Sequence, residues 1–180
     1  MREKSLPSEP RQLAFTGKRR RQETRYFYHQ ARALADLALE KKNQLKRDVV
    51  AVLFHDSDDK ATSMSANWLD KKQNVEKGFE DEGFDNGVPM IPKPTSEAWL
   101  ICALKKNPYQ GCDSLENRSG SRQATKPLKA ELELLLQKLP RSTSVSERLS
   151  DAVRRKDVNF EKIQMPSFKE FRKRLEKVIE

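Results

Sequence analysis

Apolar positions along the chain change period several times, and each change marks an element. Leu13-Ala14-Phe15 is a short apolar run that predicts a first strand, and Thr16-Gly17 then opens a basic loop. Phe27, Ala31, Leu34 and Ala38 recur at spacings of four, three and four, with Tyr26 and Leu37 widening the face, which predicts a sheet-covering helix. Asp48-Val49-Val50-Ala51-Val52-Leu53-Phe54 shows no polar alternation after its first residue. Such a run predicts a strand buried on both faces, the kind found in parallel sheets. Met64, Trp68, Val75 and Phe79 fall on one side of a helix that should finish near Gly83. Gly87-Val88-Pro89-Met90-Ile91-Pro92 suits a short strand with prolines at its margins, its end expected beside the first acidic strand. Thr95 to Leu104 reads as a mostly buried helix with Glu97 in its first turn.

Beyond it, Asn107 to Gln123 is a long polar loop containing Pro108, Gly111 and Gly120. Leu128, Leu132, Leu135 and Leu136 predict another amphipathic helix, and a shorter one runs near Ser146 to Arg154. The last helix opens at Pro166-Ser167-Phe168-Lys169-Glu170, where Ser167 and Glu170 have capping-box spacing, and buries Phe168, Phe171, Leu175 and Val178. Strands alternating with helices predict an α/β fold, a mostly parallel sheet of about four strands flanked by helices with a helical C-terminal extension. Residues 1–12, polar and with two prolines, read as a flexible N-terminal tail, and residues 13–180 as a single domain.

Charge adds a partner to this picture. Lys and Arg number 36 against 27 Asp and Glu, a net +9, which favours a polyanion such as nucleic acid. Lys18-Arg19-Arg20-Arg21 and Arg154-Arg155-Lys156 supply much of that excess, and such runs are commonly solvated surface. Cys102 and Cys112 are too few for a disulfide framework and fit no zinc spacing with His29 and His55, so a reducing cytoplasm is the expected location. The N-terminal residues have no apolar core for a signal peptide, and no later run reaches bilayer length.

The chemistry concentrates where the apolar run through Phe54 breaks into His55-Asp56-Ser57-Asp58-Asp59. Three carboxylates in four residues repel one another and raise the pKa of at least one, unless a divalent cation holds them together. Magnesium or manganese is therefore expected at Asp56, Asp58 and Asp59. The competing reading is that Asp and Ser are ordinary turn and cap residues after a strand. Glu97 has two readings as well, a partner of the helix dipole or a carboxylate facing the acidic cluster. His55 is a further candidate, as proton shuttle or ligand, but alternation along a strand turns it away from Asp56.

A hydrophobic strand ending in Asp56-Ser57-Asp58, a helix, a short strand with Ile91-Pro92 and a helix opening Ser96-Glu97-Ala98-Trp99-Leu100 together resemble the TOPRIM fold. More narrowly they resemble the small stand-alone TOPRIM-related proteins of bacteria, often encoded beside defence or mobile-element genes. Met165-Pro166-Ser167-Phe168-Lys169-Glu170-Phe171 resembles the end of that group, so the similar patches span most of residues 48 to 175. The resemblance implies Mg2+ (or Mn2+) on Asp56 and Asp58 with Asp59 in reserve, and Glu97 as a further ligand or orienting acid. It also implies a glutamate after the first strand, and no acid follows Leu13-Ala14-Phe15-Thr16-Gly17 until Glu23, the candidate general acid or base. The implied activity is phosphodiester cleavage or transfer on DNA or RNA, in which metal ions activate water and neutralise developing charge. Lys126, Lys129, Arg118 and Arg122 are the candidates for holding phosphates, and a partner protein such as an ATPase is a further expectation. Because Lys18-Arg19-Arg20-Arg21-Gln22 follows Gly17, the alternative is a non-catalytic TOPRIM-like subunit whose degenerate acidic site serves nucleic-acid binding or partner docking. Glycosyltransferases and haloacid dehalogenase-like phosphatases also carry Asp-x-Asp after a strand. The former usually need a larger nucleotide domain than 180 residues allow, and Asp59-Lys60 stands where the latter need Thr or Val. A role in phage defence rests on analogy alone.

Overall fold

A computed structural model describes residues 15–57, 64–121, 123–138 and 144–180, and of residues 15–24 and 64–67 the backbone alone. The expected tail of residues 1–12, together with Leu13 and Ala14, lies outside the described residues. The chain runs α1 (Phe15–Leu45), β1 (Ala51–Phe54), α2 (Met64–Asp81), β2 (Gly87–Met90), α3 (Ser96–Leu104), α4 (Leu128–Leu136), α5 (Val145–Arg154) and α6 (Pro166–Ile179). Short 3-10 turns occupy Cys112–Asn117 and Phe160–Lys162.

The expected sheet of about four strands is corrected. Helix takes 61% and strand 6%, and the sheet among the described residues has two strands, β1 and β2. They pair in parallel, Ala51 opposite Gly87 through Phe54 opposite Met90, so the expected neighbourhood of these two strands is present. The expected first strand is where the reading fails. Phe15, Thr16 and Gly17 open α1 rather than a strand and a basic loop. Arg, Gln and Glu between residues 18 and 25 are strong helix formers, and once the Phe27 to Ala38 stripe nucleates a helix, each further residue extends it at little cost.

One core fills the space between α1, α2 and one face of the sheet. Phe27, Ala31, Ala35 and Ala38 from α1 meet Val75 and Phe79 from α2 and Ala51 from β1. The small residues on α1 let α2 approach closely, and Gly78 is the closest point: a β-carbon there would lie 2.5 Å from the Tyr28 carbonyl oxygen and 2.6 Å from Ala31 Cβ. Gly83, at φ 64, ends α2 as its position predicts, since a left-handed residue at a helix end favours glycine. Lys71 sits on the buried stripe of α2, between Trp68 and Val75, and is 1% exposed. Its ammonium lies 5.2 Å from the centre of the Phe27 ring, a cation–π contact.

A second core lies among α3, α4, the Cys112–Asn117 turn and α6, built on Trp99, Ile101, Leu128, Leu132, Ile163 and Phe168. Cys102 and Cys112, read as too few for a disulfide framework, are joined in a disulfide that ties the end of α3 to this turn. The Ser167–Glu170 capping box is also corrected. Pro166 takes the first helical position of α6 behind Met165, so Ser167 is already inside the helix. A capping box forms instead at α5, between Ser144 and Glu147. Ser167 is buried and serves a different end: its N–H and O–H both donate to Glu116 Oε1, at 2.8 and 2.6 Å, while its oxygen accepts from the Trp99 indole at 2.9 Å. No helix among the described residues is long and apolar enough to cross a membrane.

Candidate acidic site at the end of the parallel strands

The parallel ladder does not stop at Phe54. The His55 N–H donates to the Met90 carbonyl at 3.1 Å and the Ser57 N–H to the Pro92 carbonyl at 3.0 Å. Asp56 is thereby held between two anchored neighbours, at the carboxyl end of parallel strands where ligands of α/β proteins bind. Alternation sends the flanking side chains opposite ways. The His55 ring packs edge-on against Phe27 with centroids 4.5 Å apart, and its Nδ1–H donates to the Asp56 carbonyl at 2.6 Å. His55 is thus occupied in packing on the α1 side, as strand alternation predicts.

Asp56 points toward α3. Its Oδ1 accepts the Ser96 backbone N–H at 2.8 Å, one of the donors left without an intrahelical partner at a helix start. Thr95 occupies the cap position but makes no side-chain capping bond, and its buried hydroxyl has no hydrogen-bond partner. A carboxylate from the neighbouring strand therefore does the work of the cap. The positive end of α3 favours the charged form of Asp56, yet its carboxyl is raised above the ordinary range. Burial is the main cause, and the negative charge of Glu97 adds to it, against the lowering effect of the Ser96 bond. Asp56 and Glu97 are the two expected site residues that the fold brings together.

The other expected residues fall out differently. Asp58, Asp59 and Arg122 lie outside the described residues. Glu23 belongs to α1, in its interior rather than at a helix start, and its side chain lies outside those described. Lys126 and Lys129 are exposed where α4 begins. Arg118 is committed to structure, paired with Glu131 at 2.7 Å and donating to the Lys126 carbonyl at 2.8 Å. Among the described residues no group of three or more His, Cys, Asp or Glu is arranged to hold a metal ion. The donors that are described, two carboxylates, are the hard oxygen ligands that magnesium and manganese prefer.

Lys71 and Glu116 escaped the sequence reading. Lys71 had a signal, because it fills the gap at the expected apolar position between Trp68 and Val75 on the α2 stripe. Glu116 had none: it is one polar residue in a polar loop, buried where it meets Ser167 of α6. No family model matches the chain, and comparison with curated proteins and with solved structures finds no match either.

Proposed function

We propose that the chain holds a divalent cation, magnesium or manganese, at the carboxyl end of β1 and acts on phosphodiesters of nucleic acid. The observation that carries this reading is the half-buried Asp56 carboxylate, fixed on the α3 N-terminus with Glu97 beside it and its pKa raised. Two acids held together in a partly dry site favour a cation between them. Asp56 and Glu97 would supply oxygen ligands from the described part of the site, with Asp58 the next ligand and Asp59 a reserve in the sequence that follows. A bound cation there supplies charge neutralisation at a phosphate. The Ser96 N–H fixes the direction of one Asp56 oxygen. The resemblance to small TOPRIM-related proteins and the net +9 charge support nucleic acid as the substrate class.

A second reading keeps the cation and drops the chemistry. It is favoured by one observation: the segment expected to form an acid-bearing strand and turn is the start of α1. Calorimetric titration of magnesium and manganese into the wild type and a D56A/D58A double variant, with labelled DNA and RNA followed in the same samples, separates the two. Binding and cleavage that both vanish in the variant support the enzyme. Binding without cleavage supports the docking subunit, and binding unchanged in the variant refutes both.

A further inference from the structure

Beside the acidic strand end lies a cavity that the cation reading leaves unused. Its volume is ≈ 410 Å³, within the range of about 300–1,000 Å³ typical of small-molecule sites, and it is walled by β2, α3, the Phe160–Lys162 turn and α6. The walls are aromatic. Trp99 of α3 stacks on Phe171 of α6 with the rings 18° apart, and Phe160 stacks on Phe168 with the rings 14° apart. Phe160 stands outside the second core and is 42% exposed, so a ring edge of the cavity meets solvent. Ser96 and Arg172 are the polar residues in the wall. The Ser96 N–H is the donor that holds Asp56 at 2.8 Å, so a single hydrogen bond joins the cavity wall to the carboxylate. Arg172 directs Nη1 at the Glu161 carbonyl, at 2.9 Å, and Nε at Glu176, at 3.6 Å, and neither contact involves Nη2.

We propose that this cavity takes one unstacked base of a single-stranded nucleic acid whose phosphodiester lies at Asp56 and Glu97, an inference that rests on the cation reading and narrows its substrate class. Aromatic faces are what bases stack on, and every base has such a face, so the cavity selects an unpaired base rather than a sequence. In a duplex both faces of each base are already covered, and extrusion must first break that stacking. The polar edge of a base finds no partner among aromatic rings, and burying it unpaired is costly. That edge therefore stays at the mouth, where Arg172 carries donors that match ring nitrogen and carbonyl acceptors. A hydrocarbon ligand would use neither Arg172 nor the carboxylates next door, and the net +9 of the chain favours a polyanion.

Fluorescence anisotropy of the full chain without divalent cation tests it, because capture of a base needs neither metal nor cleavage. The probes are a labelled oligothymidylate, the same strand paired with its complement, and a strand of equal length built of abasic sites. The single strand should bind tightest, with the duplex and the abasic strand weaker by about tenfold or more. Phe160→Ala removes a stacking face outside the second core, and Leu175→Trp fills the cavity from α6. Each should keep the far-ultraviolet circular dichroism of the wild type, weaken the single strand by about tenfold and leave the abasic strand unaffected. Intact and abasic strands bound equally overturn the proposal, and so do two folded variants that hold the single strand as the wild type does. An apolar dye that enters the cavity and is not displaced by the single strand overturns it as well. The calorimetric titration of D56A/D58A reports separately on the cation, so a base preference that holds while cation binding is unchanged in that variant refutes the cation reading and not the base site.

Discussion

Two helices in this protein begin on a carboxylate borrowed from elsewhere in the chain, and the difference between them separates architecture from chemistry. At α6 the Glu116 carboxylate takes the Ser167 N–H and O–H, and the Trp99 indole N–H closes the set on the serine oxygen. Glu116 is 4% exposed, and the donors grouped around it explain how a carboxylate is tolerated in the second core. At α3 the Asp56 carboxylate takes one N–H, stands half exposed at the end of a strand and has another acid for a neighbour. The first arrangement is complete within the fold. The second leaves a half-exposed carboxylate with a like charge beside it.

Breaking the closed arrangement should have the largest effect. Glu116→Ala leaves the Ser167 donors buried without their acceptor and should lower unfolding stability by about 3 kcal/mol in urea titrations, while Glu116→Gln, which keeps one acceptor, should cost less than half of that. If the alanine variant is as stable as the wild type, the buried network does not support α6. At Asp56 the comparison sharpens in two variants. Asp56→Ala loses the cap and Asp56→Asn keeps it, so the asparagine form should be more stable than the alanine form by about 1 kcal/mol, again by urea titration without divalent cation. Equal stabilities would mean that the Ser96 bond contributes nothing.

The smallest effect is in pH. With its carboxyl raised above the ordinary 3.8, folded Asp56 keeps its proton to higher pH than the unfolded chain does. Across that window the unfolded state binds fewer protons, so the contribution of Asp56 makes stability fall as pH rises. Thermal melts of wild type and Asp56→Asn from pH 3 upward should therefore diverge above about pH 4, the asparagine form gaining relative to the wild type as the window is crossed. Parallel curves would show that the Asp56 charge carries no penalty in the fold.

Elements governed by local pattern were legible in the residues. The two strands and the parallel pairing between them follow from hydrophobicity, but two details of the reading do not hold: β1 is not buried on both faces, since Val52 and Phe54 are exposed, and Pro89 lies inside β2 rather than at its margin, as an outer-edge strand allows. What failed was non-local or balanced. Leu13-Ala14-Phe15 has the composition of a strand, but a strand needs a neighbour, whereas the helix that claims Phe15 needs only the residues after it. Ser-x-x-Glu occurs at both Ser144 and Ser167. It caps α5 and not α6, because Pro166 starts α6 one residue early. The cysteine pair was invisible because ten residues of separation say nothing of distance until the loop folds back on α3. Of the site, the acidic strand end and Glu97 were legible from placement alone, whereas the Asp56 bond to the start of α3 is a contact across the fold that no local pattern encodes.

Gly78 sets a dimension. Because the α2 backbone at Gly78 meets the Tyr28 carbonyl and the Ala31 methyl of α1, the carbon that glycine lacks is what lets the two helices stand as close as they do. A methyl group added at residue 78 finds no room between them, so one of the two helices must give way.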